Sequence, residues 1–204
     1  RTPDMALFMT EWKSLYDSKS GERGIFNRQA AKEKSALNGR RDIEHDFGTN
    51  PCSEIILRPY QFCNLTEVVV RATDSEKELS RKVKLATILG TFQSTLTDFK
   101  YIRKIWKSNT EEERLLGVSL TGIMDSTATN SPKKGFLSGL RQSAVDTNKE
   151  FAKKLKIPQS TAITCVKPSG TVSQLVDSAS GIHARHNPYY IRTVRCDKKD
   201  PLTQ

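Results

Sequence analysis

Between Ser75 and Phe99, apolar side chains return every third or fourth position, at Leu79, Val83, Ala86, Leu89, Phe92, Leu96 and Phe99. That period lays one stripe along an α-helix, so a helix with one buried face is predicted there. Ser75 and Glu78 have the spacing of a capping box, and acids in the first turn suit the positive end of the helix dipole. From Gly139 to about Lys154, Leu140, Ala144, Val145, Asn148, Phe151 and Ala152 fall along one side, predicting a second long helix that Pro158 prevents from continuing. Met5, Leu7, Phe8, Trp12, Leu15 and Tyr16 predict a helix within residues 4–18. Thr110, followed by Glu111, Glu112 and Glu113, reads as a helix start and predicts a helix to about Asp125.

The remaining apolar runs are short and β-branched. Thr161–Val166 reads as a buried strand, Ser53–Leu57 as a strand ending before Pro59, and Val68, Val69 and Val70 as an extended piece. Ile191–Val194 is a weaker strand candidate. Residues 19–51 are polar and predicted as loop, with a short helix near Ala30–Lys34. Helices and strands interleave without internal repeats, so the expected class is α/β, with residues 1–204 forming one partial domain.

Charge changes this picture little. Lys and Arg outnumber Asp and Glu by 33 to 23, for a net +10, but the excess is spread along the chain. No basic block or aromatic-interleaved RNA motif stands out, so no nucleic-acid partner is expected. The chain begins at Arg1 and carries neither a signal peptide nor a run of membrane length, which leads us to expect a cytoplasmic internal fragment or processed product with no membrane partner. Cys52, Cys63, Cys165 and Cys196 form no C-x-x-C pair, which argues against a zinc ribbon and for reduced thiols.

Two stretches carry chemistry. In Asn50-Pro51-Cys52-Ser53-Glu54 an amide, a thiol and a carboxylate alternate. If the segment is extended, all three point to one face and meet one ligand together. That face would offer a hydrogen-bonding amide, a reactive sulfur and a general base. Cys63 follows as a second thiol near that carboxylate. The second stretch is Lys167-Pro168-Ser169-Gly170-Thr171-Val172-Ser173, where a strand runs into small residues with free backbone amides and hydroxyls, fit to cradle a phosphate. It is not a Walker A loop. Taken singly, each has a plainer reading: a small buried cysteine for the first, and an ordinary Pro-Gly turn for the second.

Together, and in this order, the two stretches resemble ribonucleotide reductase. Phe62-Cys63-Asn64-Leu65 lies between them; Gly24-Ile25-Phe26-Asn27-Arg28 precedes them; Gly181-Ile182-His183 and Tyr189-Tyr190-Ile191-Arg192 follow. The resemblance runs from about Gly21 to Arg195 and implies part of a ten-stranded α/β barrel. In that barrel a finger loop, about residues 48–66, holds the radical cysteine, and residues 167–173 hold the substrate phosphates. By this likeness Cys52 becomes a thiyl radical that takes the 3′ hydrogen of a ribonucleotide, Glu54 accepts the 3′-hydroxyl proton, and Asn50 orients the same region. Cys63 would be one of two reducing cysteines, its partner lying upstream of this chain. Pro168, Ser169, Gly170, Thr171 and Val172 would bind the phosphates of a ribonucleoside di- or triphosphate.

The wording of the phosphate stretch, with Gly181-Ile182-His183, resembles the adenosylcobalamin-dependent class more than the class that uses a separate iron subunit and binds no such cofactor itself. The likeness further implies a thioredoxin- or glutaredoxin-type dithiol reductant and the missing segments of the same reductase as partners. No protein-held metal is expected: His183 and His186 read as surface or structural residues, Tyr189 and Tyr190 as packing beside a strand, and Cys165 as core.

Overall fold

In a computed structural model of the chain, residues 3–21, 24–191 and 193–203 are described. The element order is α1 (Met5–Ser18), α2 (Arg28–Ala36), β1 (Gly48–Thr49), β2 (Ile56–Leu57), β3 (Asn64–Val69), α3 (Glu76–Gln93), α4 (Lys104–Glu113), β4 (Leu116–Thr121), α5 (Thr127–Asn130), α6 (Phe136–Leu155) and α7 (Thr171–Leu175), with 3₁₀ turns at Ile123–Asp125 and Pro201–Thr203. The class is α/β. None of its described helices is long and apolar enough to cross a membrane.

The centre of the fold is a parallel ladder. β3 pairs with β4 from Asn64 opposite Leu116 to Val69 opposite Thr121. Parallel neighbours need a crossover between them, and α3 with α4 supplies it. Beside β4 runs a third lane: Leu116 N–H donates to the Ala162 carbonyl, Val118 N–H to Ile163, and Cys165 N–H back to Val118, at 2.9, 2.9 and 3.1 Å. The strand predicted over Thr161–Val166 is therefore present only as this lane, with one parallel bridge at Thr164.

Alternation along the strands gives the sheet two different faces. Val68, Leu116 and Val118 turn toward α3 and α6, packing with Ile163, Val83, Ala86, Leu140 and Ala144 as the core. The opposite face is tight at Gly117, where a Cβ would lie 3.1 Å from Cys165 Sγ and 3.1 Å from Ile55 Cδ1, with Leu65 closer still. Glycine at that position lets Ile55, and with it the β1–β2 hairpin, lie flat on the sheet.

Four expectations need correction. The helix predicted from Thr110 to Asp125 instead ends at Glu113. Arg114 takes a left-handed conformation (φ 47°), and the alternating Leu116–Thr121 becomes β4, buried along most of its length. The run of acids imitates a first turn but closes a last one. The long helix stops at Gln93 rather than Phe99, because buried Ser94 turns its carbonyl to the Arg114 guanidinium. Of Ser53–Leu57 only Ile56 and Leu57 are strand. Finally, none of the described residues of Ile191–Val194 is strand: Ile191 is exposed, as is Tyr189, at 93 % exposure. Arg192, part of that strand and of the Tyr-Tyr-Ile-Arg motif, lies outside the described residues.

A buried ion pair fastens the hairpin to the helical layer. Arg41 Nε and Nη2 reach the two Glu113 oxygens at 2.9 and 2.8 Å, with both side chains 3 % exposed. Arg41 also donates to the Ile56 carbonyl and to Gln61, and lies over the Phe47 ring. Removing one partner of such a pair leaves a buried charge alone and costs about 3–5 kcal/mol. Glu113→Gln is expected to lower the urea unfolding free energy by roughly that amount, well beyond the loss caused by Glu150→Gln on the exposed face of α6, with the two measured side by side.

Candidate functional site

The Asn-x-Cys-x-Glu stretch is the tip of a hairpin. β1 and β2 pair antiparallel, Gly48 with Leu57 and Thr49 with Ile56, leaving residues 50–55 as the connecting loop. Asn50 closes it: its side-chain oxygen accepts the Ile55 N–H at 3.0 Å, and its carbonyl accepts the Ser53 N–H at 2.9 Å. Ser53 takes φ 62°, a conformation that a turn requires and an extended strand does not. The expectation that alternation would place Asn50, Cys52 and Glu54 on one face is therefore wrong in its geometry. Cys52 stands exposed at the tip, while Glu54 is buried against Lys167.

The Glu54 side chain is 1 % exposed, with Oε1 2.9 Å from Lys167 Nζ. Burial pushes its carboxyl up, but the Lys167 and Asn50 side chains outweigh burial and hold the pKa below the ordinary 4.5. Lys167 is raised in turn, chiefly by Glu54. The lysine touches the carboxylate without an aligned hydrogen bond, and neither Glu54 oxygen has an aligned donor among the described residues. A buried anion with open lone pairs can accept a proton or a hydroxyl.

Two thiols share this neighbourhood. Burial and then the Glu54 charge raise the Cys63 pKa, and the same two causes, followed by Cys63 itself, push Cys165 up to about 12. Both sulfurs are protonated at neutral pH, poor as nucleophiles but intact as hydrogen donors. Cys165 was read as core; it lies half-buried, beside the carboxylate, with its Sγ against Gly117. Cys52 is near enough for its charge to be felt at Lys167.

Lys167 begins the second predicted stretch, so the ion pair joins the two stretches in space. Ser169 is buried, and its hydroxyl accepts the Ser173 N–H at 3.2 Å, opening α7. The Ser169 carbonyl receives the hydroxyls of Ser173 (2.6 Å) and Ser180. Pro168, Gly170, Thr171 and Val172 are exposed. Gly181, with φ 55°, lies against this loop: a Cβ there would be 2.9 Å from the Lys167 carbonyl. That explains the glycine of Gly-Ile-His, a motif quoted only for its likeness. The structure thus brings Cys52, Glu54, Cys63 and Lys167 together. Ser169 is consumed in holding its own loop. Sequence reasoning gave Lys167 no role, since nothing local distinguishes it; a lysine opening a phosphate stretch was the available signal.

No family model matches the chain. Among solved structures, a B12-dependent, class II ribonucleotide reductase superposes with a TM-score of 0.56 at 26 % identity, covering 72 % of this chain and 23 % of that one. The likeness carried by the motifs is thereby borne out: the chain is similar in sequence and fold to a segment of a ribonucleotide reductase. The curated relatives are more particular, being adenosylcobalamin-dependent ribonucleoside-triphosphate reductases. That of Lacticaseibacillus paracasei is 29 % identical over 93 % of this chain and 29 % of its own length; that of Lactobacillus gasseri is 29 % identical over 90 % and 28 %; that of Lactobacillus leichmannii is 28 % identical over 90 % and 29 %. The chain spans less than a third of the length of these relatives.

The Glu54–Lys167 pair has a pH signature. A carboxylate with a depressed folded pKa contributes stability that is present above its unfolded value and lost as pH falls through the folded one. Lys167→Met removes a group that holds the Glu54 pKa down, so that pKa should rise. The stability gap between wild type and Lys167→Met is expected to be widest near neutrality and to shrink as pH falls through the variant's folded Glu54 pKa toward that of the wild type. Urea denaturation across pH 3–7, with the carboxyl ¹³C shift of Glu54 followed in parallel, measures both.

Proposed function

We propose that this chain is the part of an adenosylcobalamin-dependent ribonucleotide reductase that carries the radical thiol, the base, one reducing thiol and the phosphate loop. It would occupy a portion of the ten-stranded barrel, with residues 48–66 as the finger loop. The observation that carries the reading is the exposed Cys52 thiol two residues from a buried Glu54 that Lys167 holds ionised, with Cys63 in the same neighbourhood. The names of the curated relatives favour this class over the one using an iron subunit, and favour a triphosphate over a diphosphate substrate.

The assigned steps suit the geometry. Cys52, as a thiyl radical, takes the 3′ hydrogen of the ribose. Glu54 accepts the 3′-hydroxyl proton as water leaves the 2′ carbon; loss of that hydroxyl is easier from a sugar radical whose oxygen is being deprotonated. Asn50 keeps the hairpin tip closed, so that amide, sulfur and carboxylate stay in register. Cys63 is protonated, as a hydrogen-donating reductant must be, and closes a disulfide with a thiol from outside this chain as product forms. A thioredoxin-type dithiol then restores it. Gly170 and Thr171 present backbone amides and a hydroxyl to the phosphates, while Ser169 braces them.

Adenosylcobalamin, when bound, supplies the radical that activates the thiol. The chain fits that demand in one respect: Pro51, Cys52 and Ser53 are all exposed, so the sulfur is approachable from outside the hairpin and would face such a group.

The test uses a polypeptide that also supplies the regions present in the relatives and not spanned here. Deoxyribonucleotide formation is expected to require adenosylcobalamin and a dithiol, and to vanish in Cys52→Ala while nucleotide still binds. Glu54→Gln should lower kcat by about 10²–10⁴ with little change in KM, the usual worth of a general base. Product formed by Cys52→Ala would sink the proposal. Product that needs Cys52 but no cobalamin would move the chain to the iron-dependent class.

A further inference from the structure

A second cavity wall remains unused by this chemistry. Behind the hairpin, Glu54 and the 161–166 lane border a cleft of about 540 Å³ whose far side is lined by Lys34, Arg40, Arg41 and Arg141. Two of the five charges in that lining are already neutralised: Arg41 by Glu113 and Glu54 by Lys167. The other three are cations. Lys34 and Arg40 have no acidic partner among the described residues, and Arg141 is held by the neutral Asn38 side chain. Arg40 Nε is closed off from water with no hydrogen-bond partner among the described residues. The guanidinium is disfavoured by that burial and then by the like charge of Arg141.

A chain does not ordinarily leave a buried guanidinium nitrogen unpartnered beside a void lined by further cations. Their placement is enforced from next door. The Arg41–Glu113 pair fixes the backbone immediately after Arg40, and Gly39, at φ 60°, turns the chain into it from the end of α2. Arg141 comes from the first half of α6 and is steered by Asn38. The cations therefore arrive on separate, anchored elements and converge on the same space. Three positive charges around one void suit a polyvalent anion better than a single carboxylate, and guanidinium forks match phosphate oxygens.

We propose that Arg40 and Arg141, with Lys34, form a binding site for a phosphate-type polyvalent anion in this cleft, distinct from the 168–172 loop. The anion is a free phosphate or pyrophosphate, or the phosphate tail of a nucleotide. The site stands apart from the thiyl reading, since its test measures binding alone, without turnover or cofactor.

Titration calorimetry of the full chain with inorganic pyrophosphate, and separately with a nucleoside triphosphate, tests it. Circular dichroism confirms that each variant keeps its fold. Saturable pyrophosphate binding is expected, weakened at least tenfold in Arg40→Gln and in Arg141→Gln, and partly restored in Arg40→Lys. Lys77→Gln and Lys149→Gln, which remove exposed charge elsewhere on α3 and α6, should change it less than twofold. A nucleotide that binds much more tightly than pyrophosphate, with the same arginine dependence, identifies the tail of a nucleotide; equal affinities identify the free anion. The proposal fails if the wild-type chain binds neither probe. It also fails if the lysine variants weaken binding as much as the arginine variants, or if Thr171→Val abolishes binding that Arg40→Gln leaves intact.

Discussion

The Arg41–Glu113 pair is the constraint on which the rest of the arrangement depends. It joins a loop residue to the last turn of α4, across 72 positions of sequence, and it does so where neither charge reaches water. Burying two charges is favourable only when every lone pair and N–H is used. Here Ile56, Gln61 and the Phe47 ring take up what the pair leaves over. The consequences run in two directions. Toward the sheet, the pair fixes where α4 ends and so where β4 begins. Toward the hairpin, it grips the Ile56 carbonyl, two residues from Glu54, and so sets how the hairpin lies on the ladder.

Once the hairpin lies on the sheet, the site's electrostatics follow from packing. Gly117 leaves the space that Ile55, Leu65 and Cys165 fill. That contact takes Glu54 out of water and obliges a cation to accompany it, and Lys167 is the one that does. The same contact places Cys63 and Cys165 in surroundings that keep thiols protonated. The exposed thiol and the buried carboxylate are thus two ends of one turn, separated by a single left-handed residue, Ser53.

What was legible in the sequence was whatever depended on local pattern. α3 and α6 announce themselves because a stripe of apolar residues at helical spacing has few other uses, and the capping box at Ser75 and Glu78 is present as read. β4 was misread because Thr110 with three glutamates looks the same whether it starts a helix or finishes one; the decision lies with Leu115 and Leu116, which tertiary burial claims for the sheet. The candidate residues stand out by motif, but their arrangement does not, since alternation holds only for a strand and Asn50 folds the segment into a turn. Lys167 and the arginines around the cleft act through contacts between residues far apart in the chain, and no local spacing encodes those.

The two faces of the ladder also differ in character. The side toward α3 and α6 carries the apolar core, with Val68, Leu116, Val118 and Ile163 closed under helices. On the other side Ser119 is buried with a hydroxyl that finds no partner among the described residues, and one oxygen of Glu67, directly opposite it in register, is in the same position. It is the face on which Gly117 receives Cys165 and Ile55. One side of the ladder thus folds with its own helices, while the other is close-packed where the hairpin crosses it.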